Sequence, residues 1–232
     1  MKSGVHTRQR ILEESLRRFN RKGYSSTTLS EIAEAVGIAE GNLWYHFRTK
    51  QDLLKALIEQ CRSEMQVNRK QPATASVMDD YVAGLLFGMR IQLNNRFLIR
   101  DHLQFSLETQ HLRLDPDMKA DRQMIARGLQ RMQKNEMFRR DLEIDLGTLG
   151  RSLWILCRYW PDHLYEQEGL DEITWENQLQ GLENHFTLLR PYLTAPARNS
   201  LQEAWLRVRE APCDDLAISN SIASSHQPQK TN

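Results

Sequence analysis

No stretch of this 232-residue chain offers the ~18 consecutive apolar residues that a membrane-spanning helix needs. The best candidate runs only from Tyr81 to Met89. The N-terminus, MKSGVHTRQR, lacks the apolar stretch of a secretory signal. The expectation is a cytosolic protein with no membrane partner. With 11 Gly and 7 Pro, the chain has too few breakers for a linker-rich or fibrous protein. The three cysteines, Cys61, Cys157 and Cys213, are widely scattered, which fits neither a disulfide framework nor a zinc site. No Gly-rich phosphate loop, HExxH or nucleophile elbow is present. Glu108-x-x-His111 has the helical spacing of di-iron carboxylate bundles, but such a site needs a second copy and two further carboxylates. Neither an enzyme nor a cofactor is expected.

What is present is a helical pattern. Apolar residues make up 40% of the chain and charged residues 26%, enough for a sizeable core. Strand-like alternation is missing. The first helix is expected over 6–22, with Leu12, Leu16 and Phe19 on one face and Gly23 closing it in a left-handed conformation. A second, over 29–36, carries Leu29, Ile32, Ala33 and Val36, opens on the capping box Thr28-x-x-Glu31 and ends at Gly37. A third covers 40–46. A fourth starts at the cap Thr49-x-x-Asp52 and carries Leu53, Leu54, Leu57, Ile58, Cys61 and Met65. Further helices are expected over 76–93, 97–112, 117–135, 143–160, 171–190 and 198–210, with Pro116, Pro161, Pro191 and Pro196 punctuating their ends. The Ser-rich residues 212–232 read as a frayed tail. The expected fold is all-α: a three-helix head over 1–50, a connecting helix over 50–69, and a larger helical bundle over 70–211.

Charge and face logic point the head toward nucleic acid. Residues 1–70 hold 13 Lys and Arg against 8 Asp and Glu, whereas 71–232 hold 18 against 22. A basic head on an acidic body suits a polyanion. The short helices SEIAEAV and EGNLWYHF, joined through Gly37, have the form of a helix-turn-helix whose second helix enters the major groove. In that second helix Leu43 and Phe47 are spaced to bury together, which turns Asn42, Trp44, Tyr45 and His46 outward. The alternative is that Trp44 and Tyr45 belong to a packed core.

The stretch TTLSEIAEAVGIAEGNLWYHFRTKQDL, from Thr27 to Leu53, resembles the signature of the TetR/AcrR-type bacterial repressors. Gly41, the Trp44-Tyr45-His46-Phe47 run and Lys50 carry the likeness, which covers residues 8–60. It implies a homodimeric regulator on double-stranded operator DNA, released by a small-molecule effector. It further implies that Thr28, Tyr45, His46 and Lys50 meet backbone phosphates. Gly41, Asn42 and Trp44 then lie where bases are read; glycine allows close approach and Asn pairs bidentately with adenine. Two departures stand out. Trp44 replaces the usual Tyr, and Ala39 replaces the usual Ser or Thr cap, which costs about 1 kcal/mol of helix stability.

In the body, Leu146, Leu149, Leu153, Leu156 and Trp160 are spaced like a coiled-coil seam, as are Trp175, Leu179, Leu182, Phe186 and Leu189. Gly147, Gly150 and Gly181 lie inside these helices, which suggests close backbone approach. The expectation is a four-helix dimer contact through Leu149, Leu153, Leu156, Trp160, Leu179, Leu182, Phe186 and Leu189, as in that family. Ordinary intrachain core is the alternative. An effector cavity is expected between head and dimer helices, with Arg100, His102, Phe105, Trp154 and Arg158 as candidate lining residues. The rival to a DNA-binding regulator is an adaptor that keeps the head fold and binds protein.

Overall fold

The computed structural model describes residues 2–101 and 115–210, and among them every extended element is a helix. The helices are α1 Lys2–Lys22, α2 Leu29–Val36, α3 Glu40–His46, α4 Lys50–Arg69, α5 Val77–Asn94, α6 Arg96–Arg100, α7 Asp115–Lys134, α8 Leu146–Glu166, α9 Trp175–Leu189 and α10 Ala195–Glu210, with a 3₁₀ turn over Arg190–Tyr192 before the last.

Side-chain caps set most of the boundaries. The hydroxyl of Thr28 accepts from the Glu31 N–H while the Glu31 carboxylate accepts from the Thr28 N–H; Thr49 and Asp52 do the same for α4, Thr174 and Asn177 for α9. Asp145 accepts from the N–H groups of Gly147 and Thr148, so α8 begins at Leu146 rather than 143. Gly37, at φ 74°, is the left-handed residue that turns α2 into α3. Ala39 precedes α3 with no side-chain cap, as the sequence requires.

Three expectations have different outcomes. Of the helix expected over 97–112, the described part is α6, set off from α5 at Asn95, whose side-chain amide donates back to the Ile91 carbonyl; residues 102–112 lie outside the described residues. Pro161 does not end α8; it sits buried inside it. The one intrahelical hydrogen bond lost to proline is offset by the burial of Trp160 and Leu164 against Ile173. The tail expected over 212–232, Cys213 within it, lies outside the described residues.

The head core joins Ile11, Phe19, Tyr24, Ile32, Leu43, Leu53 and Leu54, and Ile91, Phe97 and Leu98 from α5 and α6 complete it. The body core is built on Tyr81, Met89, Leu129, Met132, Leu153, Leu182, Phe186 and Trp205. The buried members of the two seams, read as subunit contact, belong to the chain's own core instead. Leu153, Leu182, Phe186 and Leu189 are fully buried within the chain, and Trp160 nearly so. Leu149, Leu156 and Leu179 are half-buried and pack against the same cores. Heptad spacing reports a helix face that meets another helix; it does not say whose helix. Gly181 does serve a close approach: a Cβ there would lie 2.5 Å from Cδ1 of Trp160, whose Nε1 donates to the Asn177 carbonyl at 2.7 Å. Gly147, by contrast, meets only its own Asp145 cap. The apolar groups that α8 and α9 leave in solvent are Ile155, Tyr159 and Leu188, about half-exposed.

Candidate nucleic-acid interface and effector cavity

The turn through Gly37 sets α3 across α2, and the two apolar residues of α3 decide which way it faces. Leu43 is 0% and Phe47 3% exposed, while Trp44 and Tyr45 stand 53% and 84% exposed on the opposite side. Gly41 and Asn42 are exposed and His46 is half-exposed. Tyr45 and His46 meet edge to face with ring centres 5.2 Å apart, which stiffens the pair without covering it. Two aromatic rings held in water by their own helix need an outside partner to recover the cost of exposure. Arg8 lies over the Phe47 ring at 4.9 Å, adding a cation beside the C-terminal end of α3.

Thr28 and Lys50 frame the start of α2, but their polar atoms are already used within the chain. The Thr28 hydroxyl donates to Glu31 Oε2 at 3.1 Å while accepting from the Glu31 N–H. Lys22 beside Glu31, then the Thr28 N–H, hold that carboxyl down to about 2. Lys50 Nζ donates to the carbonyls of Tyr24, Ser25 and Thr27 at 3.0, 3.2 and 3.0 Å and sits 4.4 Å from the centre of the Tyr24 ring. The lysine thus straps the loop that leads from α1 to Thr28. The sequence likeness gave it a role and no sign of this engagement.

A cavity of about 170 Å3 lies where α4, α5, α6, α7 and α8 converge. Trp154 and Arg158 line it, together with Met65, Phe87, Gln92, Ile99, Met124 and Cys157. Arg100 does not. Its guanidinium donates to the Phe19 and Asn20 carbonyls at 2.8 and 3.2 Å, so it closes the C-terminus of α1 instead. Asp101 Oδ2 accepts from the Tyr24 N–H at 2.8 Å in the same joint. His102 and Phe105, and with them Glu108 and His111, lie outside the described residues. Gln92 and the α4 residues were missed as lining groups. The signal was Cys61 and Met65, which carry the apolar stripe of α4 past the end of the head core.

Behind the cavity wall His185 is sealed in. Tyr81 Oη lies 2.7 Å from its Nε2 and Cys157 Sγ 3.1 Å from its Nδ1. Burial pushes His185 down to about 4 and the Cys157 thiol up to about 12. The trio is neutral, and a thiol so raised is a poor nucleophile.

Residues 11–57 match the bacterial regulatory proteins of the tetR family, and residues 58–201 match the bacterial transcriptional repressor domain of that name. The second match alone covers more than half of the chain. This chain belongs to the TetR family. The fold of TetR-family proteins extends over almost all of it. A TetR-family regulator from Marinobacter aquaeolei VT8 superposes with a TM-score of 0.68 at 25% identity, over 88% of this chain and 98% of that one. CprB of Streptomyces coelicolor, solved with its operator, gives 0.64 at 23% identity over 90% and 99%. In sequence, the regulator AcrR of Shigella flexneri is 44% identical over 59 residues, which span 25% of this chain and 27% of AcrR. The two family models together cover both the head and the body. TetR-family proteins are transcriptional regulators and not enzymes.

Proposed function

We propose that the chain is a homodimeric repressor that binds a pseudo-palindromic operator through α3 and releases it when a small molecule occupies the cavity. The observation that carries the DNA-binding reading is the division of α3 into a buried Leu43/Phe47 side and an exposed Gly41, Asn42, Trp44 and Tyr45 side. In this reading Gly41 and Asn42 approach base edges, and Trp44 offers an indole N–H donor and an apolar face to a thymine methyl. Tyr45 and His46 reach backbone phosphates. Thr28 stands at the positive end of α2. Lys50, bonded to three carbonyls, supplies charge and holds the loop. CprB, a protein of the same fold, was solved with its operator, which supports DNA as the partner.

Two heads are needed because one helix of seven residues reads few bases; two-fold symmetry doubles the contacts and fixes half-site spacing. The outer face of α8 and α9, with Ile155, Tyr159 and Leu188, is the surface for the second copy. The domain limits follow: a head over 1–50 continued by α4, and a body over 70–211 that dimerises and holds the effector. Coupling runs through the joint where Arg100 and Asp101 of the body grip the end of α1. An effector that prefers one setting of that joint shifts the spacing of the heads. Selection of bound duplexes from random DNA, followed by titration at several salt concentrations, tests the reading. Affinity should fall steeply with salt. An adaptor for protein would enrich no sequence and show no such slope.

A further inference from the structure

Arg158 of α8 is 9% exposed, and its Nη1 has no hydrogen-bond partner. Asp162, one turn on, is 3.9 Å away, an ion pair at the limit of contact, and the Tyr159 ring centre lies 5.2 Å from the guanidinium carbon. A buried guanidinium with a vacant donor is costly unless something else completes it. Arg158 lines the cavity, and so does Gln92, whose Oε1 is a second buried polar atom without a partner. Among the described residues that line the cavity there is no Asp or Glu, while Arg69 adds a second cation to its wall. The rest is apolar: Met65, Phe87, Ile99, Met124 and Trp154.

We infer that the cavity takes an amphipathic carboxylic acid, its carboxylate accepting from Arg158 Nη1 and its hydrocarbon body lying among Phe87, Met124 and Trp154. This rests on the reading of the cavity as the effector site and names the chemistry of that effector. A carboxylate satisfies the vacant guanidinium with a charge-assisted bond in a mostly apolar site, where such a bond is strong. Gln92 can meet the second carboxylate oxygen by a half-turn of its terminal amide, a rotation that exchanges Oε1 for Nε2. A neutral alcohol would offer Nη1 only an uncharged acceptor, and an amine would be repelled by the guanidinium.

The test is isothermal titration of the full-length protein with decanoate, decanol and decylamine, each below the concentration at which it forms micelles, repeated with Arg158→Gln. Decanoate should bind at least about tenfold more tightly than decanol or decylamine, and Arg158→Gln should bring decanoate to the level of decanol. Decanol binding retained by Arg158→Gln shows that the variant keeps its fold. Decanol or decylamine binding as well as decanoate overturns the inference, and so does decanoate binding that survives Arg158→Gln or is undetectable. Titration of a selected DNA duplex in the presence of decanoate separates the two claims. If decanoate binds through Arg158 and DNA affinity does not move, the ligand class stands and the effector reading falls. If DNA binds and decanoate does not, the ligand class falls and the regulator reading stands.

Discussion

Replacing Lys50 by Met keeps the apolar stem of the side chain and deletes its ammonium. Three N–H···O bonds to the carbonyls of Tyr24, Ser25 and Thr27 disappear, together with the cation above the Tyr24 ring. Bonds from a charged donor are worth about 1.5–3 kcal/mol when fully buried. Here the lysine itself is only half-buried, so about 0.5 kcal/mol each is realistic, with a further ~0.5 kcal/mol from the ring. The sum is about 2 kcal/mol, which in a chain of this size corresponds to a drop in Tm of roughly 4–8 °C. Thermal and urea unfolding of the DNA-free protein measure it. DNA affinity should fall as well, equally for all sequences, because the loop before Thr28 loosens and a positive charge is lost. Unchanged stability of the free protein, with a salt slope reduced by about one unit, would refute the strap and return Lys50 to a direct phosphate contact.

Three further outcomes follow from the structure. Gly181→Ala gains ~1 kcal/mol of helix propensity but drives a Cβ to 2.5 Å from the Trp160 ring, which Asn177 pins by a hydrogen bond; overpacking costs about 1–3 kcal/mol, so urea unfolding should show a net loss of up to about 2 kcal/mol, and a more stable variant would mean that the ring yields freely. His185 has a folded pKa of about 4, below its unfolded value of 6.5, so the unfolded chain binds the extra proton; stability should be full above pH 6.5 and fall by up to about 3 kcal/mol as the pH drops toward 4, a trend that urea unfolding of His185→Asn should largely lack. Leu188→Asp places a charge on the exposed face of α9 without touching the core; light scattering should report monomers with unchanged circular dichroism, and a persistent dimer would move the interface elsewhere.

The head was legible in the sequence because its signals are local. Thr28 with Glu31, Thr49 with Asp52, and the positive φ of Gly23 each act within one turn of chain, and all three take the expected form. The outward side of α3 was legible for the same reason, since Leu43 and Phe47 define it over four residues. The body was read less well because its questions are about distance. Leu182 and Phe186 announce a buried seam but not that the partner is the same chain. Arg100 looks like a cavity residue by chemistry, yet the carbonyls it binds are some 80 positions away in sequence. Lys50 illustrates both cases: its place in the motif was plain, and its three carbonyl partners on a loop more than 20 residues earlier were not.

The most direct measurement is an equilibrium titration of a duplex selected by this protein, at three or more salt concentrations, comparing the native chain with Tyr45→Ala and with Asn42→Ala. The account predicts a linear fall of log affinity with log salt, at about 0.9 units per phosphate neutralised. Tyr45→Ala should weaken every sequence alike, while Asn42→Ala should cost about 1–3 kcal/mol on the selected duplex and relax its preference at one base pair in each half-site. Native-level binding by both variants, or binding that ignores salt, would contradict the assignment of α3 as the surface that meets DNA.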